Sequence, residues 1–139
     1  MSSPILYKRL FIIDDDLEDQ EIFMEVLKEI DPSIMCFSAT SGEEALRKLE
    51  AESAVLPDLI FLDVNMPKLN GKQVLKELKK ARKLHHIPVI MYSTSFAPRD
   101  IVEIKELGAA HHLLKPLRFD DLCHALRGVL SARWQNGKV

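Results

Sequence analysis

Short apolar runs alternate with longer stretches of helical spacing along the whole chain, and few folds accept that pattern. Runs near residues 8–13, 34–38, 58–62, 88–92 and 110–114 are too short for helices and are rich in Ile, Leu, Val and Phe, as strands are. Between them, Ile22, Phe23, Val26, Leu27 and Ile30 recur with helical period before Asp31-Pro32 stops the pattern. Ser41-Gly42-Glu43-Glu44 reads as a capping box for a helix carrying Ala45, Leu46 and Leu49. Asn70-Gly71 begins a third helix with Val74, Leu75 and Leu78 inward. Pro98-Arg99-Asp100 begins a fourth, with Ile101, Ile104 and Leu107, that stops at Gly108. Phe119-Asp120-Asp121 begins the fifth, with Leu122, Ala125, Leu126, Val129 and Leu130 inward. Strict strand–helix alternation predicts an α/β, doubly wound, five-stranded parallel sheet with helices on both faces. The unbroken apolar character of the third and fourth runs places them centrally, covered on both sides.

The apolar runs end in reactive groups. Leu10-Phe11-Ile12-Ile13 leads into Asp14-Asp15-Asp16, and Leu59-Ile60-Phe61-Leu62 into Asp63. Val89-Ile90-Met91-Tyr92 leads into Ser93-Thr94-Ser95, and His111-His112-Leu113-Leu114 into Lys115-Pro116. Parallel strands bring their carboxyl ends to one edge of the sheet, where open α/β folds place their chemistry. Asp14, Asp15 and Asp63 converging there repel one another unless a proton or cation intervenes. A hard divalent ion such as Mg²⁺, with oxygen ligands and retained waters, suits such a cluster. With Lys115 for phosphate oxygens and Ser93 as a hydroxyl donor, the set describes phosphoryl transfer onto a carboxylate.

Composition narrows the alternatives. The chain has 139 residues, 47% hydrophobic and 29% charged, with a formal net charge of −2, so the molecule as a whole offers no field for nucleic acid or a membrane surface. No apolar run approaches the roughly 20 residues of a membrane helix, and no secretory pattern follows Met1-Ser2-Ser3-Pro4, so cytoplasmic residence is expected. Cys36 and Cys123 are too few and too far apart in sequence for a disulfide framework. His85-His86 lack the matching ligands of a zinc site and read as solvated. Lys79-Lys80-Ala81-Arg82-Lys83 reads as the solvated end of a helix, and Trp134 either packs back or sits in an exposed tail.

These motifs, in this order, resemble the response-regulator receiver domain, of the stand-alone, chemotaxis-regulator-like type, over about residues 7–131. The elements carrying the resemblance are Ile12-Ile13-Asp14-Asp15-Asp16, Leu62-Asp63-Val64-Asn65-Met66-Pro67, Val89-Ile90-Met91-Tyr92-Ser93 and Leu114-Lys115-Pro116-Leu117. The resemblance implies a flavodoxin-like sheet of order 2-1-3-4-5 and a single receiver domain over 1–139 with short tails. It also implies that Asp63 accepts a phosphoryl group from a sensor histidine kinase or histidine phosphotransfer protein. Asp15 would bind Mg²⁺ directly, Asp14 would act mainly through water, and Asn65 would contribute its backbone carbonyl. Lys115 would bridge acceptor and phosphoryl group, and Ser93 would be the hydroxyl that turns toward it. Asp16, one past the acid pair, reads as solvated.

Further expectations come from the same resemblance. Pro116 would follow a cis peptide bond that aims Lys115 inward. The aromatic switch position, three before the lysine, is held by His112, which would act as a switch or as a surface contact. Ser95 and Asn65 flank the path of a hydrolytic water. Output would pass in trans through the surface of the fourth helix, fifth strand and fifth helix to a protein partner. Such a receiver is not a turnover enzyme, and it would be a monomer or a phosphorylation-dependent homodimer, with Val102 exposed. Two other readings are weighed beside it: a receiver-like scaffold that works without phosphorylation, and a haloacid-dehalogenase-like phosphatase with Asp14 as nucleophile. For the phosphatase, only Asp120-Asp121 are available as a downstream acidic motif.

Overall fold

The computed structural model describes residues 4–134. Five strands alternate with five helices: β1 (Arg9–Ile13), α1 (Leu17–Ile30), β2 (Met35–Ala39), α2 (Gly42–Glu50), β3 (Leu59–Asp63), α3 (Gly71–Lys80), β4 (Val89–Ser93), α4 (Pro98–Glu106), β5 (His111–Leu114) and α5 (Phe119–Leu130). All pairings are parallel, as the alternation predicts, and the order is β2-β1-β3-β4-β5, as the resemblance implies. Observed strand limits differ from expected ones by about one residue. No helix among the described residues is long and apolar enough to cross a membrane.

Alternation along the central strands builds two cores. On β3, Ile60 and Leu62 face α2, α3 and α4, packing with Ala45, Leu49, Val74, Leu78 and Ile104. Leu59 and Phe61 face α1 and α5, packing with Phe23, Val26, Leu122 and Leu126. Every residue of β3 and β4 is buried, which is why both read as continuous apolar runs. Phe23, Phe61 and Tyr92 meet edge to face, with ring centroids 4.9 to 6.1 Å apart.

The helix ends follow local chemistry. Asp16 is not a free acid: it caps α1, accepting from the Glu18 and Asp19 amides. Ser41 caps α2 by accepting from the Glu44 amide, while the Glu44 carboxylate reaches past it to the Thr40 N–H. Asn70 and Gln73 form a complete capping box on α3. At α4, Pro98 opens the first turn and Asp100 accepts from the Ala97 amide at 2.9 Å. Gly108 follows this helix with φ of 102°, in the left-handed region that favours glycine.

Trp134 packs back onto the body. Its indole N–H donates to the Val129 carbonyl at 2.8 Å, its amide donates to the Tyr7 hydroxyl, and its ring stacks on His111 at 4.6 Å. Val102 is exposed, as expected. Cys36 and Cys123 are free and half-buried.

Gly71 has a specific steric duty. A Cβ there would lie 2.2 Å from the Asp63 carbonyl oxygen and 2.7 Å from the Val64 Cα, so α3 can begin beneath the end of β3 only without a side chain. Gly128, on the outer face of α5, has no atom within 4 Å of such a Cβ. In urea denaturation, Gly71→Ala is expected to lower stability by about 2 kcal/mol or more, because backbone must move. Gly128→Ala is expected to raise it by about 0.5–1 kcal/mol through helix propensity.

Candidate functional site

Register delivers the reactive groups to one edge. Ile13 lies beside Leu62 and Asp63 beside Tyr92, so the carboxyl ends of β1, β3 and β4 are level. Ser93 pairs with Leu114, and the Lys115 amide donates to the Ser93 carbonyl at 2.7 Å, extending the β4–β5 ladder to the lysine. Asp14 is fully buried, Asp63 and Ser93 are buried, and Asp15 is exposed. One carboxylate oxygen from each of Asp14, Asp15 and Asp63 lies within 4.8 Å of the others.

Each side chain is held by named bonds. The Asp63 carboxylate accepts from the Asn65 amide at 3.2 Å, and the Asp14 carboxylate from the Asp16 amide at 3.0 Å. Buried Gln20 donates to the carbonyls of Asp14 at 2.7 Å and Ala39 at 2.8 Å, tying α1 to the ends of β1 and β2. The Ser93 hydroxyl donates to the Ser95 carbonyl at 3.0 Å and accepts from the Asn65 side-chain amide at 3.2 Å. The Asn65 side chain, expected only to flank the path of a hydrolytic water, therefore also links the β3–α3 loop to the end of β4. His112 is half-buried, with its ring 5.2 Å from that of Phe96 in the loop after β4.

The lysine departs from expectation in two ways. Its ammonium lies 2.7 Å from Asp14, 2.8 Å from Asp19 and 3.9 Å from Asp63, so its two short contacts go to acids other than Asp63. The sequence reading did not single out Asp19; as one of two acids in the first turn of α1, it looked like an ordinary response to the helix dipole. The Lys115–Pro116 bond is trans, which corrects the cis expectation. A trans X–Pro bond is favoured by about 0.5–1 kcal/mol. The ladder bond from the Lys115 amide already fixes the root of a side chain long enough to reach Asp14.

Electrostatics follow from burial. Burial pushes the Asp63 pKa up to about 7; Lys115 opposes the shift and Asp14 reinforces it. For Lys115, burial disfavours the ammonium, but hydrogen bonds to Asp14 and Asp19 outweigh it and raise the pKa. Three carboxylates that close, with an exposed member open to solvent, form an oxygen-donor set suited to a hard divalent ion. An ionised carboxylate at Asp63, with an ammonium 3.9 Å away, can attack an electrophilic phosphorus while the lysine neutralises charge on its oxygens.

Comparison with known proteins identifies the family. The response regulator receiver domain family matches residues 10–127. The response regulator Rcp1 of Synechocystis is 31% identical over 89% of this chain and 87% of its own length. The rice two-component response regulator ORR12 is 32% identical over 93% of this chain and all of its own length. The transcriptional regulatory protein CpxR of Klebsiella pneumoniae is 36% identical, but the chain spans only about half of it. Among solved structures, the phosphorylated cyanobacterial phytochrome response regulator RcpA superposes with a TM-score of 0.83 at 30% identity, over 92% of this chain and 98% of that one. The Mn²⁺-bound form of Rcp1 superposes with a TM-score of 0.74 at 31% identity, over 88% and 91% of the two chains. Fold and site together define a receiver of two-component signalling. The chain belongs to the response regulator receiver domain family.

A raised carboxylate pKa means that, between about pH 4 and pH 7, the folded state holds a proton the unfolded state has lost. Stability of the protein in a chelator should therefore fall as pH rises through that window. Asp63→Asn should flatten the slope, and added Mg²⁺ should raise Tm more at pH 8 than at pH 5. Thermal melts at fixed ionic strength check all three.

Proposed function

We infer that this protein is a phosphoacceptor response regulator whose Asp63 receives a phosphoryl group with the assistance of Mg²⁺. The observation that carries this reading is the meeting of Asp14, Asp15 and Asp63 within 4.8 Å, with the Lys115 ammonium beside them. Asp14, Asp15, Asp63 and the backbone carbonyl of Asn65 would hold the ion, which would supply positive charge to phosphoryl oxygens. A carboxylate oxygen of Asp63 attacks phosphorus as the bond to the donor's histidine nitrogen breaks, giving an aspartyl phosphate and a neutral imidazole. Lys115 and the Ser93 hydroxyl then bind phosphoryl oxygens. The chain promotes this transfer, and the slow hydrolysis after it, without being a turnover enzyme.

A local route to the surface supports signalling through α4, β5 and α5. Turning the Ser93 hydroxyl toward the phosphoryl group breaks its bonds to Ser95 and Asn65. Phe96, three residues on, packs against His112, so motion of this loop reaches β5 directly. The anion thereby shifts population toward a second arrangement of α4 and β5. Sensor kinases or phosphotransfer proteins are the proposed donors, and a protein partner in trans the proposed receiver of output. The protein is read as a single cytoplasmic receiver domain, monomeric or dimerising on phosphorylation.

Intact mass after incubation with acetyl phosphate and Mg²⁺ tests the chemistry. One added phosphoryl group is expected, absent in Asp63→Asn and in chelator, and formed on the order of 100-fold more slowly in Lys115→Met. No adduct, and no spectral change with beryllofluoride, would leave the scaffold reading. Turnover of a phosphate ester that dies with Asp14→Asn would support a phosphatase. In ¹H–¹⁵N spectra of beryllofluoride-loaded protein, shifts should extend from Ser95 and Phe96 through His112 to α4, and Phe96→Ala should shrink those in α4.

A further inference from the structure

Lys115 is bound by one acid more than the phosphoryl chemistry requires. An ammonium has three protons to donate, and two are committed, to Asp14 at 2.7 Å and to Asp19 at 2.8 Å. Asp63, at 3.9 Å, lies outside hydrogen-bond reach. The Tyr92 ring centroid sits 5.2 Å from the same ammonium, filling another side of it. The lysine side chain is 8% exposed, so these neighbours, rather than water, decide where its charge lies.

The two short partners differ in how easily they release it. Asp14 is fully buried, and removing its cation would strand a charge away from water. The Asp19 side chain is 32% exposed at the first turn of α1, where solvent and the helix N-terminus can both support a lone carboxylate. Its backbone is anchored by the bond from its amide to Asp16, so the root of the side chain does not depend on the lysine.

We propose that Asp19 is a positioning residue that competes with Asp63 for Lys115, holding the ammonium off the acceptor at rest and yielding it to the phosphoryl group. This rests on the reading of Asp63 as phosphoacceptor. Asp19 thus sets how strongly the protein favours its phosphorylated form, without touching the reacting atoms.

Beryllofluoride with Mg²⁺, a mimic of the phosphoryl group on a carboxylate, reads the competition as a Kd. Asp19→Asn removes the competitor and should tighten binding about three- to five-fold, the scale of a part-exposed ion pair. Asp19→Glu keeps the charge and should bind as the unmodified protein does. In a Lys115→Met background the gain from Asp19→Asn should vanish, because the effect runs through the lysine. An unchanged Kd in Asp19→Asn, or a gain that persists without Lys115, overturns the role of Asp19 and leaves the acceptor reading intact. Beryllofluoride binding that needs neither Asp63 nor Mg²⁺ overturns both.

Discussion

A single ammonium holds together the ends of elements that are far apart in sequence. Lys115, carried past the end of β5, lies within 4 Å of carboxylates from Asp14 after β1, Asp19 on α1 and Asp63 on β3. Without it, two buried acids would face each other across the rim with no protein charge against them. Parallel register makes the meeting possible, since β1, β3 and β4 end level and the β4–β5 ladder continues to the lysine itself.

The core beneath the rim is continuous with the site. Phe23, Phe61 and Tyr92 interlock under the carboxyl ends of β3 and β4, and the Tyr92 ring faces the lysine ammonium. Gln20 bonds the carbonyls of Asp14 and Ala39 from below, and Gly71 lets α3 begin against the Asp63 backbone. All buried side-chain polar atoms among the described residues have hydrogen-bond partners. Beside this packed core, the loop carrying Ser95 and Phe96 touches β5 through the contact of the Phe96 and His112 rings.

Legibility in the sequence followed the range of the interaction. Strands β3 and β4 were plain because burial on both faces demands unbroken apolar runs. The caps of α2 and α3 were legible because their partners lie three or four residues apart. Asp16 is exposed, as expected, but its capping of α1 was not legible because a third consecutive acid hides a cap within a charge run. The Lys115–Pro116 bond was expected cis on resemblance and is trans. Trp134 was undecided because its partners, Tyr7 and His111, are brought to it only by the folded sheet.

The strand–helix alternation, the central strands and the convergence of Asp14, Asp15, Asp63, Ser93 and Lys115 on one edge were determined by the sequence alone. Hydrophobic period sets the elements, and parallel strands place their carboxyl ends together whatever the details. Tertiary structure alone decided which acid the lysine binds, that Asn65 bridges to Ser93, and that Phe96 packs on His112. Those choices depend on differences of an ångström or so between side chains as many as 101 residues apart. No local pattern encodes such distances; the packed helices and the register of the sheet set them.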